Sequence, residues 1–166
     1  FSSPKFCLND LIQLELYKNS DEVNELVDSA NKEARIESNL GKIANIWEEQ
    51  ILNFKEYKGC YIIGALDDTI EYVDDHSMQL MGMMSQKDVK EFEETVVEWQ
   101  KKLKTVDTVL TIWMKVQRNW QRLETIFLAS EDIKAQLPED TKRFQKVDNE
   151  WRELMNLAAE DPGVIN

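Results

Sequence analysis

The sequence predicts an all-α fold, an elongated bundle of antiparallel helices with one long helix at about residues 85–127. Three observations predict it. Apolar residues recur at Val89, Phe92, Val96, Trp99, Leu103, Val106, Leu110 and Trp113, then at Trp120 and Phe127. Their steps alternate three and four, which lines them along one face of a helix as a heptad seam. No Pro or Gly stands between Ser85 and Phe127. Helix formers dominate a chain with 31% charged residues and only 5 Gly and 3 Pro. At 1.5 Å per residue the strut would be about 60 Å long.

Taken in order, residues 1–58 read as a lead-in and the first helices. Phe1 to Phe6, with Pro4 inside it, is extended, and Leu8 to Tyr17 carries Leu11, Ile12, Leu14 and Leu16 at short-helix spacing. Asn19 and Glu22 have the form of a capping box. They open a helical stripe of Val23, Leu26, Val27, Ala30, Ala34, Leu40, Ile43, Ala44, Trp47, Ile51 and Phe54. Gly41 interrupts that stripe at a cost of about 1 kcal/mol relative to Ala, and permits a bend without requiring one. Gly59 is placed to end the helix. Cys60 to Ile63, bounded by Gly59 and Gly64, reads as a brief strand or an extended crossing over 59–64.

Residues 65–127 read as a helical hairpin. Its first arm carries Leu66, Ile70, Val73, Met81 and Met84, and its second is the strut, opened by a capping box of Ser85 and Asp88. In the strut, Gln117 and Glu124 fall where the seam calls for apolar residues. A second stripe of Val109, Ile112, Val116, Leu123 and Ile126 widens the apolar face there, so more than one neighbour is expected to cover it. Terminal helices follow at 130–160. Ser130 caps Glu131 to Leu137, and Pro138, with Glu139 and Asp140, suits the first turn of a last helix carrying Phe144, Val147, Trp151, Leu154 and Leu157. The start at Phe1 and the end at Asn166 read as the limits of an excerpt from a longer chain.

The net charge of −12 repels nucleic acid and acidic membrane surfaces. No run of Lys or Arg forms a local exception, since Lys101, Lys102 and Lys104 are interleaved with core positions. The two cysteines, Cys7 and Cys60, form no disulfide framework and no zinc spacing, and are expected as reduced, buried thiols. No apolar stretch has the length of a membrane span.

Candidate chemistry is sparse. Gly59 and Gly64 have the spacing that begins a phosphate-binding loop, but Ala65 and Leu66 stand where a lysine and a hydroxyl belong. A turn followed by a crossing accounts for both glycines. Asp67, Asp68, Glu71, Asp74 and Asp75 form the densest acidic cluster, next to His76. A bundle metal site needs Glu-x-x-His pairs from two helices, and this chain has a single His, so a solvated acidic face is expected. Ser77 beside that His lacks the elbow of a nucleophile. Met78, Met81, Met83 and Met84 read as core filling at a helix end. Trp47, Trp99, Trp113, Trp120 and Trp151 all lie on apolar stripes, as core rather than ligand platforms. The residues therefore describe a helical mechanical or binding element with no catalytic, cofactor-binding or metal-binding residue.

Around the end of the strut the pattern becomes specific. Trp113-x-x-Val116-Gln117-x-x-Trp120-x-x-Leu123-Glu124-x-Ile126-Phe127 is followed by Ser130-Glu131-Asp132-Ile133, by Gln136-Leu137-Pro138-Glu139-Asp140 and by Lys142-Arg143-Phe144. This closely resembles the linker region of dynein heavy chains. The likeness extends upstream through Trp99-Gln100-Lys101-Lys102-Leu103, through Glu33 to Trp47 with Phe54 and Tyr57, and to Phe6-x-Leu8-x-x-Leu11. It is more like the axonemal than the cytoplasmic members, although the family often has Glu where Asp140 stands.

The resemblance implies the N-terminal part of an all-helical rod that arches over a ring of AAA+ modules in the same chain and passes force to the tail. It makes Gln117 and Glu124 part of the family pattern, with polar contacts between helices expected of them. It implies ATP and Mg elsewhere in the full-length chain, with none in this segment. Partners would be the AAA+ ring and the remaining linker of the same heavy chain, with other dynein subunits. Nucleic acid, membrane and direct microtubule contact are not expected. The setting implied is cytoplasmic and cytoskeletal, in the axoneme of a cilium or flagellum. A stand-alone scaffold of spectrin type also places Trp on heptad seams, but would show an internal repeat, and none is visible.

Overall fold

A computed structural model describes residues 7–165; the extended lead-in expected at 1–6 lies outside them. The chain folds into α1 (Leu8–Gln13), α2 (Ser20–Glu49), a hairpin of β1 (Phe54–Tyr57) and β2 (Cys60–Ile63), α3 (Asp67–Met84), α4 (Glu93–Phe127), α5 (Glu131–Gln136) and α6 (Pro138–Glu160). Short 3-10 turns at Leu16–Asn19 and Lys87–Val89 precede α2 and α4. The architecture is mainly helical with one small antiparallel sheet.

The long helix is continuous for 35 residues, about 52 Å at 1.5 Å per residue. It begins at Glu93, eight residues later than the spacing predicts. Ser85 and Asp88 do not form the expected capping box. Ser85 ends α3, its hydroxyl donating to Gly82 O at 2.7 Å, and Asp88 accepts from the Ser29 hydroxyl of α2. With both side chains engaged, the chain turns once as a 3-10 helix and enters α4 at Phe92, with no side-chain cap.

Ring contacts and the residues that share each groove fix the packing. Leu66 and Val73 near the start of α3 share a groove with Leu110 and Met114 late in α4, while Ser77 and Met81 lie beside Gln100, Leu103 and Lys104. The two helices are therefore antiparallel. Along α6 the order is likewise reversed. Phe127 stacks on Phe144 with ring centroids 5.5 Å apart, Trp120 meets Trp151 at 5.7 Å, and Trp113 Nε1 donates to Met155 Sδ at 3.1 Å.

Several faces differ from the sequence pattern. On α3 the inward stripe is Thr69, Val73, His76, Leu80 and Met83, whereas Ile70, Met78 and Met81 are exposed. Thr69 and His76 can turn inward because each has a polar partner: Gln50 Nε2 donates to Thr69 Oγ1 at 3.3 Å and Trp47 Nε1 to His76 Nδ1 at 3.0 Å. On α2 the core residues are Ile36, Leu40, Ile43 and Trp47, and Leu26 and Val27 are exposed. On α6 they are Phe144, Trp151 and Met155, with Val147, Leu154 and Leu157 outward.

α2 ends at Glu49, short of the end expected at Lys58 before Gly59. Residues 54–57 form a strand instead, paired antiparallel with 60–63 in the register Phe54↔Ile63 and Tyr57↔Cys60. Lys58 (φ 45°) and Gly59 (φ 79°) make the two-residue turn. Positive φ at both positions is the geometry that matches strand twist. The hairpin is flanked by a second tie, in which Leu52 N donates to Pro162 O at 2.7 Å and Val164 N to Gln50 O at 3.2 Å.

Candidate functional site

The two polar residues that break the seam lie against the hairpin. Gln117 is 3% exposed and Glu124 is 6% exposed. Ile63 N donates to Gln117 Oε1 at 2.8 Å, and Gln117 Nε2 donates to Ile63 O at 2.9 Å. One side-chain amide thus satisfies both backbone groups on the open edge of β2, as a third strand would. The expectation of polar contacts between helices is corrected for both residues: Gln117 reaches β2, and Glu124 reaches Tyr57 of β1 and Lys58 of the turn.

Seven residues on, Glu124 accepts from Lys58 Nζ at 2.6 Å and from the Tyr57 hydroxyl at 3.4 Å. That carboxylate holds the Lys58 ammonium above the usual lysine range, against a smaller opposing effect of desolvation. Between them, Trp120 Nε1 donates to Asp148 Oδ1 at 2.9 Å, and Arg152 Nε to Asp148 Oδ2 at 2.8 Å. Asp148 raises Arg152 further, and the guanidinium returns to the turn by donating to Lys58 O at 2.7 Å. Tyr57 meets Trp120 edge to face at 5.7 Å. Cys60, buried under the turn, donates Sγ to Tyr57 O at 3.1 Å, and burial pushes its thiol up.

These groups form a clasp joining α4, the hairpin and α6. Sequence reasoning singled out Gln117, Trp120 and Glu124 but missed Lys58, Asp148 and Arg152. A signal for Asp148 exists in its place between Phe144 and Trp151, on the stripe of α6. A charged residue at an inward position needs a partner across the helix pair.

The remaining singled-out residues divide by burial. Trp99, Leu103, Val106, Leu110 and Phe144 are buried, while Trp113, Phe127 and Ile133 are half-buried. Val116, Leu123, Ile126 and Leu137 are 41–47% exposed, and Pro138 is exposed. The second stripe is therefore not covered by further neighbours among the described residues. Val109, Ile112 and Val116 instead line an apolar groove of about 350 Å³ with Trp113, Trp151 and Leu154. Cys7 is exposed, contrary to the buried thiol expected there. His76 is 5% exposed rather than part of the solvated acidic face, and burial lowers its pKa. Asp67, Asp68, Glu71, Asp74 and Asp75 are exposed. Gly59 serves the hairpin turn, and Gly64 packs where an added Cβ would lie 3.1 Å from Asn53 O. Ser130 caps α5 by accepting from Ile133 N. Among the described residues no cluster of His, Cys, Asp or Glu is arranged to hold a metal ion. No helix among them is long and apolar enough to cross a membrane.

A chain with this clasp and seam has well-matched relatives. The family model described as dynein heavy chain, N-terminal region 2, matches residues 1–166. The flagellar outer arm dynein beta chain of Chlamydomonas reinhardtii is 42% identical over 166 residues, 97% of this chain and 4% of the relative. The ciliary dynein beta chain of Tripneustes gratilla is 39% identical over 160 residues, and human dynein axonemal heavy chain 9 is 40% identical over 160. Each of these alignments covers 95% of this chain and 4% of the relative. The chain thus spans about one twenty-fifth of these relatives' length. On a match that runs its whole length, the chain belongs to the N-terminal region 2 family of dynein heavy chains.

Proposed function

We propose that this chain is a force-transmitting segment of the linker of an axonemal dynein heavy chain. It couples conformational change in an AAA+ ring of the same chain to the tail and is not itself catalytic. The observation that carries the reading is the uninterrupted α4, 35 residues with α3 along one part and α6 along another. A lever must not absorb the displacement made at its base, and a helix buttressed along its length bends less than one hinged at a Gly or Pro. The clasp adds to this by fixing the hairpin and α6 to the same helix. ATP and Mg would act in the ring, with ring, remaining linker and other dynein subunits as partners, in the axoneme of a cilium or flagellum.

The test is motility of the full motor with a Gly-Gly pair at Val106–Asp107, beside a Val106→Ala control for the lost buried side chain. Retained ATPase with lost stepping in the Gly-Gly motor, and stepping in the control, is expected. Unchanged stepping in the Gly-Gly motor overturns the lever.

A further inference from the structure

The sign of the charge reverses over one stretch of α4. Residues 108–123 hold three cations, Lys115, Arg118 and Arg122, and no anion, in a chain of 32 acids and 20 bases. On a helix each of these cations would find an acid at three or four residues' distance if one were there. The positions so related are Thr111, Ile112, Met114, Asn119, Gln121, Thr125 and Ile126, apart from the three cations themselves. The lysines earlier on the same helix differ: Lys101 and Lys102 have Glu98 within one turn, and Lys104 has Asp107. The absence of a basic run concealed this, because the three residues gather only when the helix is wound.

Lys115, Arg118 and Arg122 are exposed and line a groove of about 830 Å³ with Tyr57, Asn119, Gln121, Thr125 and Ile126. Arg118 spends Nε on Met114 O at 3.2 Å. Lys58, at the neighbouring hairpin turn, is taken up by Glu124. The cations are strung along the helix, with about 10 Å of axial rise from Lys115 to Arg122. A single phosphate needs converging donors, so this linear array suits carboxylates spaced along a chain. The rest of the lining supplies amides, a hydroxyl, an aromatic ring and Ile126, the mixture that accommodates a peptide backbone and its side chains.

We infer that this groove is the docking site of an acidic segment of a partner protein. The inference does not rest on the lever reading. Charge complementarity argues it: the chain's net charge repels a long polyanion lying over its whole surface, whereas a short acidic segment confined to the groove meets the reversed sign.

The experiment uses the intact heavy chain and a fluorescein-labelled ten-residue polyglutamate peptide, read by fluorescence anisotropy. The expected result is salt-sensitive binding that weakens at least tenfold in K115E/R118E/R122E and stays within twofold in K101E/K102E/K104E, which makes the same charge change on the same helix. The neutral K115Q/R118Q/R122Q triple should fall between wild type and the charge reversal. Equal weakening in both charge reversals means that net charge alone is read, and overturns the site. No binding by the wild type overturns it as well. Displacement of the peptide by inorganic polyphosphate as effective, per charge, as by unlabelled peptide also overturns the peptide assignment, in favour of a general anion surface.

Discussion

The two halves of α4 are built on one spacing and held by different chemistry. From Val96 to Leu110 the inward positions are Val96, Trp99, Leu103, Val106 and Leu110, packed on α3 and its neighbours by apolar contact. From Gln117 to Glu124 they are Gln117, Trp120 and Glu124, each hydrogen-bonded to the hairpin or α6. Apolar contact is undirected, so the first half specifies that helices meet but tolerates exchange of similar shapes. The buried polar groups specify which atoms meet, since a displaced partner would leave them unsatisfied.

The largest expected effect tests the second half. Trp120→Ala removes a 2%-exposed indole and the donor to Asp148, and should cost ~3–5 kcal/mol in urea unfolding. A loss below ~1 kcal/mol would remove the clasp as a stability element. Shape-conserving exchanges sharpen the contrast. Leu103→Met should cost under ~1.5 kcal/mol. Gln117→Met, of similar volume, should cost ~2–4 kcal/mol because it orphans both the N–H and the C=O of Ile63. Equal losses at the two positions would erase the distinction between the halves.

A third polar contact lies outside α4 and reports through pH. His76 accepts from Trp47 and stacks on Tyr72 at 5.8 Å. Burial lowers its pKa below 6.5, with Asp75 opposing in part. Below 6.5 the unfolded state then binds more protons than the folded one, so stability is full above that value and falls as pH drops toward the lowered folded value. His76 is the only histidine, so the fall in urea midpoint between pH 7.5 and 5.5 should largely vanish in His76→Gln. An unchanged slope in that variant would assign the pH dependence elsewhere. The smallest effect concerns neither half. Gly41→Ala lies in exposed helix with nothing within 4 Å of the added Cβ, and should raise stability by about 1 kcal/mol or less, read as a higher melting temperature.

The helices were legible because apolar steps of three and four, sustained over many residues, match the helical period and not the strand period of two. The strand at 54–57 was not, because Phe54 and Tyr57 stand three apart and continue the helical period, and Gly59 suits a helix end as well as a hairpin turn. Lys58 hid the turn further, since Asn or Asp is the usual residue in its left-handed place. The inward face of α3 was misplaced because Thr69 and His76 are polar, and only Gln50 and Trp47, distant in sequence, make their burial possible. In the clasp, the half on α4 was visible as interruptions of a seam. Asp148 and Arg152 stand one turn apart, a spacing shared by many surface ion pairs, and only the fold turns them toward Trp120 and the hairpin.

The two-handed grip of Gln117 on Ile63 also limits how the hairpin can slide. Neighbouring residues of a strand point their amides to opposite edges, so a shift by one residue would face Gln117 with a residue whose N–H and C=O point away from it, toward β1. The next matching position lies two residues away, about 7 Å. A hairpin sliding along α4 would therefore move in whole two-residue steps, with no intermediate setting at which both bonds form.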